Sequence, residues 1–481
     1  MSEQGGVADA VDELLTILES DDRVSFAEVG GTTRSATEVV ITETGVRSDN
    51  EWTTTGVWCR VFAGGSAAYR FTSELSSEAL SDAANRATTG GDQLAQSTAE
   101  RVDIESSHRG VHDGWARESV ADRSLSEKRA SVQAAPDEVE TALDRTRVTY
   151  ADERVDHSIA TTADSVVRTT VDRASVDVTL VPVDGPKLRR HHGSTRGAAF
   201  LDRLPSLFAE IDRDASTIAS AAEADSPSGT STVVLSPSAT GQLCHEIGGY
   251  LAADVAAFGF SPFEQGDRLT DAPLTIDDGV RAGSWAATAY DAEARPTTPV
   301  RLVDRGQVES FLHDTTTAAE AGQVPTGNAI PAIGFEQPPR IHHRHLDVHA
   351  GAASRDELLA DADVYVRRFG PAFYRDEFER TQRSGAMPPS SLYAHDVAER
   401  MGDRPDAGTV ELPIAEGFLV ENGELGPAVD STVVWTADAL ESIDGIGETR
   451  STVTGVASKH KSRIPYAVTA PAVRLDVRCE N

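Results

Sequence analysis

His245 and Glu246 stand side by side in the segment LCHEIGGYLAAD (243–254), which we expect to form a helix. A zinc hydrolase needs neutral imidazoles to hold the metal and a carboxylate to accept a proton from water. Two histidines on one helix face stand four residues apart, but the fourth residue after His245 is Gly249, which has no ligand atom. Tyr250 lies about 140° around an ideal helix from His245. The segment therefore predicts a hydrolase-type metal site that its own helix does not complete.

A second group of candidate metal ligands follows in RIHHRHLDVH (340–349). If this segment is a strand, four polar residues share one face, because side chains alternate with a period of two. They are His343, His345, Asp347 and His349. Histidines at i and i+2 on a strand can chelate one ion, so His343 and His345 are candidates for a separate metal site. The alternative is a polar sheet face whose residues pair across strands or contact water.

The three cysteines, Cys59, Cys244 and Cys479, stand far apart and form no CxxC pair. This spacing predicts isolated reduced thiols and argues against a disulfide framework or a cysteine-rich zinc knuckle. Cys244 precedes His245, but adjacent helical residues point about 100° apart. We therefore do not expect the two to act together as a thiolate nucleophile and its base.

The charge composition argues against direct nucleic-acid binding. The formal net charge is −33, and only four of the 44 basic residues are lysines, whereas a surface that binds phosphates needs clustered Lys and Arg. The acidic residues are spread along the chain, and arginine is preferred over lysine. Both features resemble proteins of salt-accumulating archaea, in which carboxylates keep the surface hydrated and salt screens their repulsion.

The sequence also predicts where the protein resides. No run of about 18 apolar residues appears, so we expect no membrane-spanning helix. The first residues, MSEQGGVADAVDELL, lack the basic and apolar regions of a secretory signal. We therefore expect a cytoplasmic protein.

Hydrophobic patterning predicts an α+β fold in two domains, rich in antiparallel sheet. An amphipathic helix with apolar residues from Val7 to Leu18 precedes several short strands, and residues 147–183 alternate as an antiparallel sheet does. The small polar stretch 222–231 is the best candidate boundary. We assign an N-terminal α+β domain to 1–225 and a strand-rich domain to 230–481, in which one strand leads into the helix with His245.

Six segments, in order along nearly the whole chain, resemble motifs of the TldD/PmbA family of zinc-dependent peptidases and their inactivated homologues, also described as modulators of DNA gyrase. LCHEIGGYLAAD stands where the family has its HExxxH helix. The other five are GVWCRVFAGGSAAYRFTSELSSEALSDAANRA, GSWAATAYDAEARPTTPVRLVDRGQVESFLHD, VPTGNA, GFLVENGELGPAV and GVASKHKSRIPYAVTAPAVRL.

The resemblance implies a role for each matching residue. His245 matches the first metal-binding histidine and Glu246 the catalytic glutamate, whereas Tyr250 replaces the second histidine. Ala457 stands where active members have a cysteine ligand, and His460, three residues on, is a candidate substitute in a basic segment that favours a solvated loop. With two of three protein ligands replaced, we expect zinc, the cofactor of the family, to bind weakly or not at all.

The resemblance further implies proteolysis of small or unfolded peptides by dimers. Our first hypothesis is a metal-poor or inactive subunit, in a homodimer or in a heteromer with a second TldD/PmbA-like subunit that carries out the chemistry. One alternative is an active zinc metallopeptidase with a non-standard ligand set. The other is a non-catalytic binding or scaffold protein.

Overall fold

A computed structural model of the chain describes residues 3–64, 66–89, 95–96, 107–183, 185–222, 224–376, 379–380, 406 and 408–480. Its helices are α1 (Glu3–Glu19), α2 (Ser77–Thr88), α3 (Leu125–Ala134), α4 (Leu204–Ala219), α5 (Pro237–Tyr250), α6 (Ala253–Ala257), α7 (Thr315–Ala321) and α8 (Arg355–Leu359). Within these residues, no helix is both long and apolar enough to cross a membrane.

The strands that precede residue 195 form one eight-stranded sheet in the order β4-β3-β2-β1-β6-β7-β5, with β8 also paired to β7. All neighbours are antiparallel except β5 and β7. These strands are β1 (Val24–Thr42), β2 (Gly45–Ala63), β3 (Ser66–Thr72), β4 (Ala95–Gln96), β5 (Arg109–His112), β6 (Leu143–Thr161), β7 (Val166–Pro182) and β8 (Leu188–Ser194).

The strands from residue 229 onward form a twelve-stranded sheet with a central path β12-β11-β10-β15-β22-β20-β18-β16-β9. A further pairing of β9 with β22 closes five of these strands into a ring. The strands are β9 (Gly229–Leu235), β10 (Ile276–Gly279), β11 (Val300–Asp304), β12 (Gln307–Val308), β13 (Ala329–Ile330), β14 (Arg340–Ile341), β15 (His345–Val348), β16 (Val364–Phe369), β17 (Phe373–Tyr374), β18 (Val410–Glu421), β19 (Glu424–Ala428), β20 (Thr432–Trp435), β21 (Gly445–Lys459) and β22 (Ser462–Glu480). β13 and β14 form a separate two-stranded pair.

The predicted α+β class is confirmed, and the helix with His245 follows the first strand of the second sheet. Helix α1 buries Val7, Val11, Leu14 and Leu18 against the first sheet, as its amphipathic pattern predicts. Each sheet has its own hydrophobic core. The domain limits 1–225 and 230–481 remain a prediction.

Helix α5 begins at a sequence-encoded cap. The Ser236 side chain accepts a hydrogen bond from the backbone of Ala239, and Pro237 occupies the first turn, where it removes no intrahelical bond. The helix packs against β22, β21 and β16. Its buried face contributes Leu243, Cys244 and Ile247 to the core of the second sheet, and this packing fixes the direction of His245.

A buried ionic cluster joins the two halves of the chain. Arg60 on β2 donates hydrogen bonds to both carboxylate oxygens of Glu28 on β1, at 2.7 and 2.8 Å. It also bonds to Glu293 and lies 3.7 Å from Asp314, both in the C-terminal half. Burial raises the pKa of Glu28 to about 7 even though Arg60 opposes the shift. The cluster couples the position of the second sheet to that of the first.

Candidate functional site

Helix α5 presents His245 and Glu246 to a cavity of about 780 Å³. The cavity is lined from both halves of the chain, by β7 and β8 on one side and by α5, β16, β18, β21 and β22 on the other. Tyr466 on β22 stacks on the ring of His245, with 3.7 Å between centroids and an interplanar angle of 7°. This contact holds the imidazole in one orientation at the cavity wall.

Two histidines from a distant segment lie next to His245. His342 and His343 occupy the irregular stretch between β14 and β15, and Nε2 of His343 is 2.8 Å from Nδ1 of His245. One ring nitrogen from each of the three histidines lies within 4.8 Å of the others. Nitrogens around a tetrahedral zinc ion are about 3.4 Å apart, which is comparable with these separations. This donor set fits zinc.

The backbone of the histidine-bearing segment is held by two buried polar residues. Asp278 on β10 accepts hydrogen bonds from the backbone amides of Arg344 and His345 at 2.7 and 3.1 Å. Asn328, from the VPTGNA motif, donates to Asp278 at 2.7 Å and to the carbonyl of His342 at 3.0 Å. Such support matters because a histidine ring does not by itself fix the angle at which its nitrogen approaches a metal ion.

The protonation states of His342 and His343 suit metal binding. Nδ1 of His342 donates to the carbonyl of His343 at 2.7 Å, which leaves its Nε2 without a proton. Burial lowers the pKa of His342 to about 3, with help from His245, and burial and the neighbouring rings hold the pKa of His343 well below its usual range. Both imidazoles are therefore neutral at pH 7. Nδ1 of His343 is buried and has no hydrogen-bond partner among the described residues.

Glu246 is the carboxylate nearest in sequence to this cluster, and it is buried with 8% of its surface exposed. Its Oε2 accepts a hydrogen bond of 2.6 Å from the hydroxyl of Tyr374 on β17. The bond orients the carboxylate. An oriented carboxylate at a cavity wall is a suitable general base.

The two positions that match lost family ligands lie apart from the three histidines. Tyr250 is fully buried in the core, where its ring stacks on Trp435 at 6.0 Å and meets Phe263 edge-on at 6.4 Å. Ala457 lies on β21 opposite Ile464 and offers no donor atom. The helix does not bend to bring Tyr250 round to His245.

His460 lies outside the three-histidine cluster, in the turn between β21 and β22. The expected solvated loop is wrong here, because His460 and Lys459 are 8% and 9% exposed. Lys459 is held by Asp254 and by the carbonyl of Ile341, each at 2.7 Å. Burial raises the pKa of the Cys244 thiol to about 12, which agrees with the expectation that it is no nucleophile.

The structure does not bring His343 and His345 together on one strand face. β15 begins only at His345, whose ring nitrogens bond to Ser284 at 2.7 Å and Thr469 at 2.8 Å. Asp347 pairs with Arg450, and His349 lies 2.8 Å from Asp277. His345, Asp347 and His349 therefore belong to a polar sheet face whose residues pair across strands, which was the alternative interpretation. His343 instead lies next to His245.

Sequence reasoning missed His342, Tyr374 and Tyr466 as site residues. The doublet His342-His343 was visible, but a strand assignment places neighbours on opposite faces. Nothing in the sequence signals the proximity of Tyr374 or Tyr466 to α5.

Comparisons with known proteins agree with this fold. Residues 228–372 match the model of the PmbA/TldA metallopeptidase C-terminal domain. A metalloprotease of Methanothermobacter thermautotrophicus is 25% identical over 474 residues, which is 95% of this chain and 96% of the relative. A zinc metalloprotease TldD homolog of Saccharolobus solfataricus is 26% identical over 44% of this chain and 43% of its own.

Solved structures share the fold along almost the whole chain. A putative modulator of DNA gyrase from Thermotoga maritima superposes with a TM-score of 0.71 at 18% identity, covering 98% of this chain and 99% of the other. TldE from Thermococcus kodakarensis gives 0.68 at 13% identity, with 98% and 100% covered. The family model and the curated relatives are those of metallopeptidases, and the fold is α+β. Along almost its whole length, the chain is similar to proteins of the TldD/PmbA family.

Proposed function

We propose that this chain is a metal-dependent peptide hydrolase whose metal is held by His245, His342 and His343, with Glu246 as general base. The observation that carries the proposal is the convergence of three imidazole nitrogens within 4.8 Å, beside Glu246 at a cavity wall. Three histidines and one open position are a known ligand set for catalytic zinc. The expectation of a metal-poor site did not include His342, and it assigned His343 to a separate site with His345.

Different residues of the chain have different roles in such a reaction. A bound zinc ion would lower the pKa of its water toward about 7 and polarise the scissile carbonyl. Glu246, oriented by the Tyr374 hydroxyl, takes the proton of the attacking water on a carboxylate oxygen and passes it to the leaving amine. Tyr466 holds the His245 ring, and the cavity binds the peptide.

A second candidate is an accessory subunit that binds peptide but leaves the chemistry to a TldD/PmbA-like partner in a heteromer. It is supported by the residues at the two family-matched ligand positions, since Tyr250 is part of the core and Ala457 has no donor atom. Under this candidate, the three histidines are a buried hydrogen-bonded group without a metal.

Metal analysis separates the two candidates. The chain is expressed with zinc, dialysed in molar potassium chloride and analysed by mass spectrometry, and its cobalt-substituted form is measured by absorption spectroscopy. We expect about one tightly held ion per chain, lost in His343→Gln but kept in the control His345→Gln. Glu246→Gln should keep the metal and lose the hydrolysis of unfolded peptides. A metal-free chain that is inactive alone, but required for activity in a mixture with a zinc-bearing relative, would establish the accessory subunit instead.

A further inference from the structure

Arg368 is a cationic side chain on the wall of the cavity that His245 also lines. It lies on β16 at an irregularity in the pairing with β18. Its Nε atom is buried and has no hydrogen-bond partner, and within the described residues no carboxylate forms an ion pair with it. A partly buried guanidinium without a close anionic partner costs free energy that a bound anion would recover.

Two nearby carboxylates, those of Glu416 and Asp214, are already bound to another arginine. Glu416 is the partner of Arg368 in the strand register, but Arg190 binds both of its oxygens. Asp214 accepts a hydrogen bond of 2.7 Å from Arg190 and lies 3.5 Å from Arg367. Three guanidinium groups therefore share two carboxylates, and Arg368 provides the excess positive charge.

This excess charge lies close to the three-histidine cluster. Arg368, Tyr466 and His245 line the same cavity. Tyr466 is the residue that stacks on His245. An anion bound by Arg368 would therefore lie beside the cluster.

The whole cavity is unusually cationic for this chain. Lys187, Arg189, Arg190 and Arg368 line it together with three acidic residues, whereas the chain as a whole has a formal charge of −33. A low-dielectric cleft concentrates the field of such an excess and attracts anionic ligands.

We propose that Arg368 binds a carboxylate of the peptide, namely its C-terminal carboxylate, and thereby positions the last residues of the peptide next to the cluster. A guanidinium matches a carboxylate with two parallel hydrogen bonds, which suits a planar, terminal anion. The inference rests on the proposed function only in taking the ligand to be a peptide. The inference about Arg368 defines the substrate class as peptides with a free C-terminus.

Binding of labelled peptides to the full chain, stripped of metal by a chelator, tests this inference apart from hydrolysis. Three versions of one neutral peptide are compared by fluorescence anisotropy at a fixed molar potassium chloride concentration. They have a free C-terminus, a C-terminal amide, or a C-terminal amide with one internal aspartate. We expect the free acid to bind roughly tenfold or more tightly than the amide, the value of a charge-assisted hydrogen bond. Arg368→Gln should abolish this preference, and Arg368→Lys should keep part of it.

The matched control is Arg189→Gln, which removes an exposed cation from the same cavity. Because molar salt screens the field of an exposed charge, the preference should stay intact. Equal binding of acid and amide by the wild-type chain overturns the inference, as does a preference that survives in Arg368→Gln or an absence of binding by any peptide. If the aspartate-containing amide binds as tightly as the free acid, the side chain is the ligand and the assignment to the C-terminus is overturned. Because these assays use metal-free protein, failure to bind zinc or cleave peptides does not affect their outcome.

Discussion

The Nδ1 atom of His245 lies 2.8 Å from Nε2 of His343, although 98 residues separate them along the chain. The approach depends on Gly248, one turn after His245. A Cβ atom at position 248 would lie 2.9 Å from Cδ2 of His343 and 2.7 Å from Cδ1 of Leu346. The absence of a side chain at Gly248 therefore leaves space for His343, which comes from a distant segment of the chain.

Gly248→Ala should weaken zinc binding without removing a ligand. The added methyl group pushes the His343 ring away from His245, and displaced support of this kind costs about tenfold in metal affinity. Gly241→Ala is the control, because Gly241 lies in the same helix as Gly248. Its added Cβ would lie 2.7 Å from Cγ2 of Val453 on β21 but would not touch a histidine. Competition with a zinc-binding dye measures both variants. Equal affinity in the two would show that Gly248 does not position the cluster.

Restoring the family ligands should not restore a family metal site. Tyr250→His with Ala457→Cys adds an imidazole at a position packed between Trp435 and Phe263. We expect a loss of about 2–3 kcal/mol in the free energy of unfolding, because a large buried ring is replaced by a smaller polar one. The number of zinc ions per chain should not rise. Tyr250→Phe keeps the ring and should cost less, and a second bound zinc in the double variant would contradict this prediction.

The sequence predicted the local elements of the site well. Glu246, His245 and their helix followed from one short segment, and α1 and the β6-β7 hairpin followed from hydrophobic period. Such features depend on neighbours along the chain, where capping and periodicity act.

The three-histidine cluster could not be predicted, because it depends on contacts between distant segments. β15 pairs in parallel with β22, against which α5 packs, and the histidines that precede β15 lie next to α5. The strand that the period-two pattern predicted is wrong for residues 342–344. They lie between two strands, and hydrogen bonds to Asp278 and Asn328 hold their backbone.

Arg60→Gln should destabilise the whole chain strongly. The change leaves Glu28 and Glu293 buried without their cation, a loss that typically costs about 3–5 kcal/mol. Arg23→Gln is the control, because the Arg23–Asp21 pair is exposed and solvent already screens it. Urea unfolding in molar salt compares them. Similar midpoints for the two variants would mean that the buried cluster does not hold the two halves together.

His157 should make the protein sensitive to mild acid. Burial, and then Arg173, lower the pKa of His157 to about 4 in the folded chain, whereas the unfolded value is about 6.5. The unfolded state therefore binds more protons between these values, and stability falls as the pH drops below about 6.5. The contribution at pH 5.5 is on the order of 1 kcal/mol. Thermal melts at pH 7.5 and 5.5 should show a smaller decrease for His157→Gln than for the wild-type chain, and parallel decreases would exclude this residue as a cause.

Concentrated salt should stabilise the folded chain. With 77 acidic residues against 44 basic ones, repulsion among surface carboxylates opposes folding until the Debye length shrinks to about 3 Å near 1 M salt. We expect the melting temperature to rise on the order of 10 °C between dilute buffer and 2 M potassium chloride. Buried pairs such as Arg60 with Glu28 are screened much less, so the wild-type chain and Arg60→Gln should gain similar amounts. A melting temperature that stays flat across the salt series would rule out adaptation to high salt.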